Sequence, residues 1–176
     1  NPQVQLMQIG GLRIALENPA VALYRPINLL SGQIIFPGTQ DASANPNTLD
    51  DYEEGTYTPS LTINGTDAGV THGTRIGRYT RIGNVVHANG YLEVSNKGST
   101  VGFVGITLPF IVNYFSTSNG LAGGMVAPKA ILTMAMSGLG LMQLYTVDGV
   151  NNITNNDLTN ASIFYCYFGI TYRTST

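Results

Sequence analysis

The chain has 176 residues, a net charge of −2 and only 10% charged residues, against about 25% in ordinary soluble domains. That length suits one domain plus an appendage, and that charge excludes the basic footprint of a nucleic-acid binder. With 43% hydrophobic residues the chain is no disordered segment, and no apolar run approaches the roughly 18 residues of a membrane span. About a quarter of the residues are Thr, Ser or Asn and 21 are glycine, a profile of short strands joined by many turns. The single Cys166 leaves no disulfide framework and no cysteine zinc site. So little charge with so many β-forming positions predicts faces buried between copies of the chain. The opening "NPQVQLMQIG" lacks the basic stretch of a signal peptide, and a start without Met is what a fragment or a processed product has.

Residues 1–40 read as short strand-like pieces with breaks. Leu12, Ile14 and Leu16 alternate with Arg13, Ala15 and Glu17, the period of a strand. "ENPA" at 17–20 is a turn, Val21 and Leu23 begin a second piece, and "QIIFPG" at 33–38 is a third. Too thin to enclose a core, this part reads as a stem and trimerisation segment whose apolar stripe needs partner chains. Residues 41–59 read as a connector, or neck. Four of the chain's ten acids, Asp50, Asp51, Glu53 and Glu54, crowd there and favour an extended, solvated path.

Residues 60–176 read as an all-β head. "GTRIGRYTRIGNVVHANGYLEV" is a hairpin with two candidate registers. A two-residue Gly83-Asn84 loop pairs Arg81 with Val86 and Arg75 with Leu92, which sets charge on an apolar face. A three-residue loop pairs Ile82 with Val86, Thr80 with Ala88 and Ile76 with Leu92, and separates the faces better, so it is the register expected. "TVGFVGITLPF" comes next, with Val104, Ile106 and Leu108 on one side and Val101, Phe103 and Thr107 on the other. "KAILTMAM" and "LMQLYTV" are two strands joined by Gly138-Leu139-Gly140, and "DGVNNITNND" at 148–157 is a polar loop. "ASIFYCYFGITYRT" is a closing strand. Phe164, Cys166, Phe168 and Ile170 share one face and Tyr165, Tyr167 and Thr171 the other, as in an interior strand or a subunit contact. No segment reads as a normal helix. The expected fold is an antiparallel β-sandwich or jelly roll behind a short-stranded β stem, assembled as a homotrimer.

Signatures of catalysis are absent: no HExxH, no GxSxG and no phosphate loop, so the chain reads as no enzyme and without cofactor. His72 and His87 lack the neighbours a metal needs, and a hydrogen-bonded or surface role fits them better. Asp148 and Asp157 flank one loop as a glycosidase pair could, but loop polarity explains them equally well. The acidic run matches no EF-hand spacing, and a solvated connector accounts for it better than Ca²⁺, so no metal is expected. The Asn-Xaa-Ser/Thr triplets at Asn64, Asn152 and Asn160 are what chance supplies in so Asn- and Thr-rich a chain. Cys166 reads as a buried structural thiol. Ten tyrosines among many Asn and Thr suit surfaces that stack on and hydrogen-bond to sugars. The richest loops place Asn113, Tyr114, Ser116 and Asn119 in one candidate site, and Tyr145, Asp148, Asn151, Asn152 and Asp157 in another.

"IIFPGTQDASANPNTLDDYEEGTYTP" strongly resembles a signature of tail fibre and tailspike proteins of tailed bacteriophages, in which "ANTLDDYEEGTWTP" leads into a C-terminal β-domain. "GRYTRIGNVV" is similar to that family's G-x-Y-T-K-I-G hairpin, and "FVGITLPF" to its I-x-G-L-P-F. Tyr57 stands where Trp is usual and Arg81 where Lys is. The resemblance covers about residues 33–110 well and the remainder only in style. It implies a homotrimer with chains interwound in the stem, Leu49, Tyr52 and Tyr57 as anchoring contacts, and the acids on the outside of the neck. It also implies a virion tail component, made in the host cytoplasm and attached to upstream fibre, spike or tail proteins. The expected role is adhesion to host surface polysaccharide, lipopolysaccharide or capsule, without cleavage and without membrane insertion. The alternatives are a purely structural trimerisation or capping module, a head-decoration fibre, and a glycan depolymerase.

Overall fold

The computed structural model describes residues 33–36, 38, 48–49, 52–113, 120–123, 131–136, 139–146, 151–158 and 164–174. Two compact units divide the chain, Asn1–Ile35 and Phe36–Thr176, and every strand among the described residues belongs to the second. The stem reading of residues 1–40 lies outside the described residues except at 33–36 and 38, where no regular structure forms.

Among the described residues nine strands form in chain order: β1 (Tyr52–Tyr57), β2 (Leu61–Ile63), β3 (Thr71–Ile82), β4 (Val85–Asn96), β5 (Val104–Thr107), β6 (Gly120–Gly123), β7 (Ile131–Met136), β8 (Leu141–Thr146) and β9 (Phe164–Arg173). They make one antiparallel sheet in the order β1-β3-β4-β9-β6-β7-β8-β5-β2. The only helical turn among the described residues is the 3₁₀ turn Asn155–Asp157. The described residues are therefore all-β, as the composition predicts.

Period-2 patterning puts the core on one face. Val86, Ala88, Leu92 and Val94 of β4 are fully buried, as are Cys166 and Ile170 of β9. They share one cluster with Leu61 and Ile63 of β2, Val104 and Ile106 of β5, and Met142 and Leu144 of β8. β4 and β9 lie far from β2, β5 and β8 in the strand order, so a common core means that the sheet turns over on itself. Cys166 is the buried thiol expected, and burial pushes its pKa up to about 12.

The β3–β4 hairpin takes the register that the pattern argument rejected. Ile82 pairs with Val85, Arg81 with Val86 and Arg75 with Leu92 across a two-residue Gly83-Asn84 loop. Gly83 lies at φ +55, the conformation a tight hairpin asks of its first turn residue. Charge on the inner face is tolerated because each guanidinium finds a partner there. Arg81 donates from Nε to the Gly83 carbonyl (2.8 Å) and lies over the Phe110 ring, 5.3 Å from its centroid. Arg75 donates to Ser60 Oγ at 2.8 Å.

Two loop readings also change. Asn64-Gly65, noted only as a chance triplet, is a tight turn with both residues at positive φ, closed by reciprocal bonds between Ile63 and Thr66. The loop at 148–157 is not wholly polar. Ile153 is fully buried, donating its N–H to the Leu144 carbonyl and accepting from the Val104 N–H. Its backbone continues the sheet between β8 and β5, and that carries an isolated isoleucine into the core.

Candidate functional site

The described part of the acidic motif, Glu53 and Glu54, lies in β1, the outermost strand beside β3 among the described residues. β1 pairs with β3, setting Gly55 opposite Tyr79 and Tyr57 opposite Gly77. The two pairs interlock in opposite senses. A Cβ on Gly55 would fall 2.7 Å from the Tyr79 hydroxyl oxygen, and one on Gly77 would fall 2.5 Å from the Tyr57 ring. Each glycine thus leaves the space its partner's ring fills. Tyr79 donates its hydroxyl to Glu53, and that bond raises its pKa to about 12. Its ring meets Phe110 edge-on at 5.0 Å. The hydroxyl of Tyr172 donates to the Phe110 carbonyl and accepts the Phe110 N–H. "YEEGTYTP", "GRYTRIG" and "GITLPF" therefore meet in one cluster.

The opposite face of β1, β3, β4 and β9 is open, and the register arranges it in rows. Ile76, Tyr91 and Tyr167 form one row across three strands. Thr56, Arg78, Asn89 and Gly169 form the next. Glu54, Thr80, His87 and Thr171 form the third, and Tyr52, Ile82, Val85 and Arg173 the fourth. Two polar rows thus run between two largely apolar ones. Over the polar rows lies a depression of about 520 Å³ lined by Glu54, Thr56, Arg78, Thr80, His87 and Asn89. A second, of about 460 Å³, is lined by Ile76, Arg78, Asn89, Tyr91 and Tyr167. Arg78 and Asn89 border both.

Tyr91 is flanked by two other rings, Tyr167 at 5.0 Å and Tyr165 at 6.1 Å between centroids. Tyr165 and Tyr167 are 45% and 60% exposed, large values for rings in a central strand. Partial desolvation, then the Glu93 carboxylate, raise the Tyr91 pKa, so its hydroxyl stays a donor at neutral pH. Three arginines on β3 divide by strand parity. Arg75 and Arg81 face inward and are hydrogen-bonded, whereas Arg78 is exposed, and no hydrogen bond or ion pair reaches it among the described residues.

The loop residues expected to bind are described only in part. Tyr114, Ser116, Asn119 and Asp148 lie outside the described residues. Asn113 is exposed and donates its N–H to the Arg173 carbonyl, beside the Gly83-Asn84 end of the hairpin. Tyr145 is half-buried and bridges Asn152, while Asn151 and Asn152 are exposed. Asp157 accepts the N–H and hydroxyl of Thr154 at 2.9 and 2.8 Å, a structural cap. This second group packs beside residues 97–102, at the other end of β4 from Asn113.

Of the expected anchors, Leu49 is 66% exposed and Tyr52 stacks obliquely on Phe36 at 5.5 Å. Tyr57 packs against this chain's own core. Of the four acids, Asp50 and Asp51 lie outside the described residues, Glu53 is half-buried and holds Tyr79, and Glu54 is exposed and accepts the Tyr52 hydroxyl at 3.1 Å. Period 2 in β9 reveals the tyrosine face. Its neighbours Arg78 and Asn89 face each other within the β3–β4 hairpin, and the β4–β9 pairing that sets Tyr167 beside them is non-local. Comparison with protein-family models, with curated proteins and with solved structures found no match.

Proposed function

We propose that this chain is the tip domain of a tail fibre or tailspike of a tailed bacteriophage, and that it holds host surface polysaccharide without cleaving it. One observation carries the binding reading: an exposed tyrosine cluster beside a polar trough on one rigid sheet face. Tyrosine rings offer flat apolar area for the faces of sugar rings, and Asn89, Thr80 and Thr56 offer donors and acceptors for hydroxyls. Strands hold such groups more precisely than loops do. The phage assignment rests on the resemblance of the β1 and hairpin motifs. In a homotrimer on the virion tail, three weak sites act together through effective concentration.

The test is binding of the purified chain to an array of bacterial surface polysaccharides and to the cells that bear them. Tyr91→Ser and Tyr167→Ser are each expected to weaken binding about tenfold, the loss of roughly 1.4 kcal/mol of stacking. Absence of binding to any glycan or cell sinks the reading. Release of reducing sugar sinks its non-catalytic part.

A structural trimerisation module is the second reading. The observation favouring it is the exposure of Ile76, Ile82 and Val85, at 51, 48 and 39%, on this same face. Under that reading Ile82→Asn lowers the mass seen by light scattering. Under the first, the mass is unchanged and only glycan binding responds to substitutions on this face.

A further inference from the structure

We infer that the trough selects a carboxylated saccharide, with the acidic sugar seated over Arg78 between Asn89 and the Tyr91–Tyr167 pair. This rests on the glycan-binding reading above and names the class of glycan. Arg78 is exposed at the junction of the two depressions, and no hydrogen bond or ion pair restrains it among the described residues. The other arginines of β3 serve the fold, as their partners Ser60 and Gly83 attest. A guanidinium is a fork that takes a carboxylate through two parallel bonds, and such charge-assisted bonds are about twice as strong as neutral ones. Beside it, Tyr167 supplies the apolar platform for the sugar ring and the Asn89 amide reaches its hydroxyls.

The neighbouring depression has the opposite character. Glu54 lines it, with Thr56, Thr80 and His87. A carboxylate there meets like charge, while neutral hydroxyls find acceptors. The trough therefore has a direction: an acidic unit at the tyrosine end and a hydroxyl-rich neutral unit toward β1. Adjacent strands lie about 4.8 Å apart and alternate residues on one strand about 6.6 Å apart, so the two depressions span neighbouring sugar units.

The experiment uses the whole chain on an array holding acidic and neutral bacterial polysaccharides. Each polysaccharide that binds is tested again after chemical reduction of its carboxylates to alcohols. The expected result is that bound polysaccharides are carboxylated and that reduction weakens binding about tenfold. Arg78→Gln, on the exposed face, is expected to lower affinity for the native form to that of the reduced form while the melting temperature holds. Arg78→Lys keeps part of the preference. Glu54→Gln is expected to raise affinity for glycans acidic at successive units. Equal binding of native and reduced forms overturns the inference but leaves the glycan-binding reading intact. So does a preference that survives Arg78→Gln, or one removed by stripping phosphate substituents instead. Absence of binding to every glycan and to cells overturns both.

Discussion

Tyr57 and Tyr79 sit on adjacent strands and fill each other's glycine gaps, yet their hydroxyls are treated differently. The Tyr57 hydroxyl is buried with no hydrogen-bond partner among the described residues, and burial raises its pKa. The Tyr79 hydroxyl holds Glu53. Removing an unsatisfied group relieves its desolvation, whereas removing one partner of a charged pair loses the bond. Tyr57→Phe is therefore expected to leave stability unchanged or raise it by up to about 1 kcal/mol, and Tyr79→Phe to lower it by about 1–2 kcal/mol, in urea unfolding. His72 supplies a pH test. Its Nε2 accepts the Leu61 N–H at 2.9 Å, so the ring is neutral. Burial, then the charge of Arg75, lower its pKa below the ordinary 6.5, against an opposing pull from Asp67. The unfolded chain thus takes up the proton first on acidification. The stabilisation is complete above about pH 6.5 and is lost as pH falls through the lower folded value. The melting temperature is expected to drop as pH falls below about 6.5, and His72→Gln is expected to flatten that slope.

Single strands are legible wherever alternation is clean, as in β4, β5, β8 and β9. Register is not, because it turns on what lies across the fold. Arg75 and Arg81 look misplaced on an inner face until Ser60, the Gly83 carbonyl and the Phe110 ring arrive from elsewhere. The turn at Asn64-Gly65 carries a legible signal, two adjacent residues suited to positive φ, which the Asn-Xaa-Thr reading passed over. The segment Ile153–Leu158 is hidden for a similar reason. Its asparagines suggest solvent, but Asn155 is buried and donates to the Gly98 and Thr100 carbonyls at 3.2 and 2.8 Å. Lys97 reaches back to the carbonyls of Asn155 and Leu158. These bonds staple the β4–β5 connection to the segment after β8. Asn155→Ala leaves two half-buried acceptors unpaired but also removes the buried, partnerless Oδ1, and is expected to cost about 1–2 kcal/mol in urea unfolding, while Asn156→Ala, at an exposed position beside it, stays within about 0.5 kcal/mol.

At the scale of the molecule, composition points to the all-β class that the described residues adopt, and the fold-over that gathers β2, β5 and β8 onto β4 and β9 belongs to long-range pairing. The acidic run acquires a physical role at this scale. β1 is the outermost strand beside β3 among the described residues, and an open strand margin invites pairing with other chains. Glu53 and Glu54 put charge on that margin, and Glu53 also fastens it. Such an arrangement has a mechanical consequence. Among the described residues β1 has one strand neighbour, so tension applied just ahead of Tyr52 loads six residues held by β3 before it reaches the strands behind. Pulled from just ahead of Tyr52 in an optical trap, the sheet is expected to yield first by an early lengthening of about 20 Å, the reach of six extended residues, with the main rupture following at higher force. Gly77→Ala, which pushes the Tyr57 ring off its seat, should lower the force of that first release and spare the second.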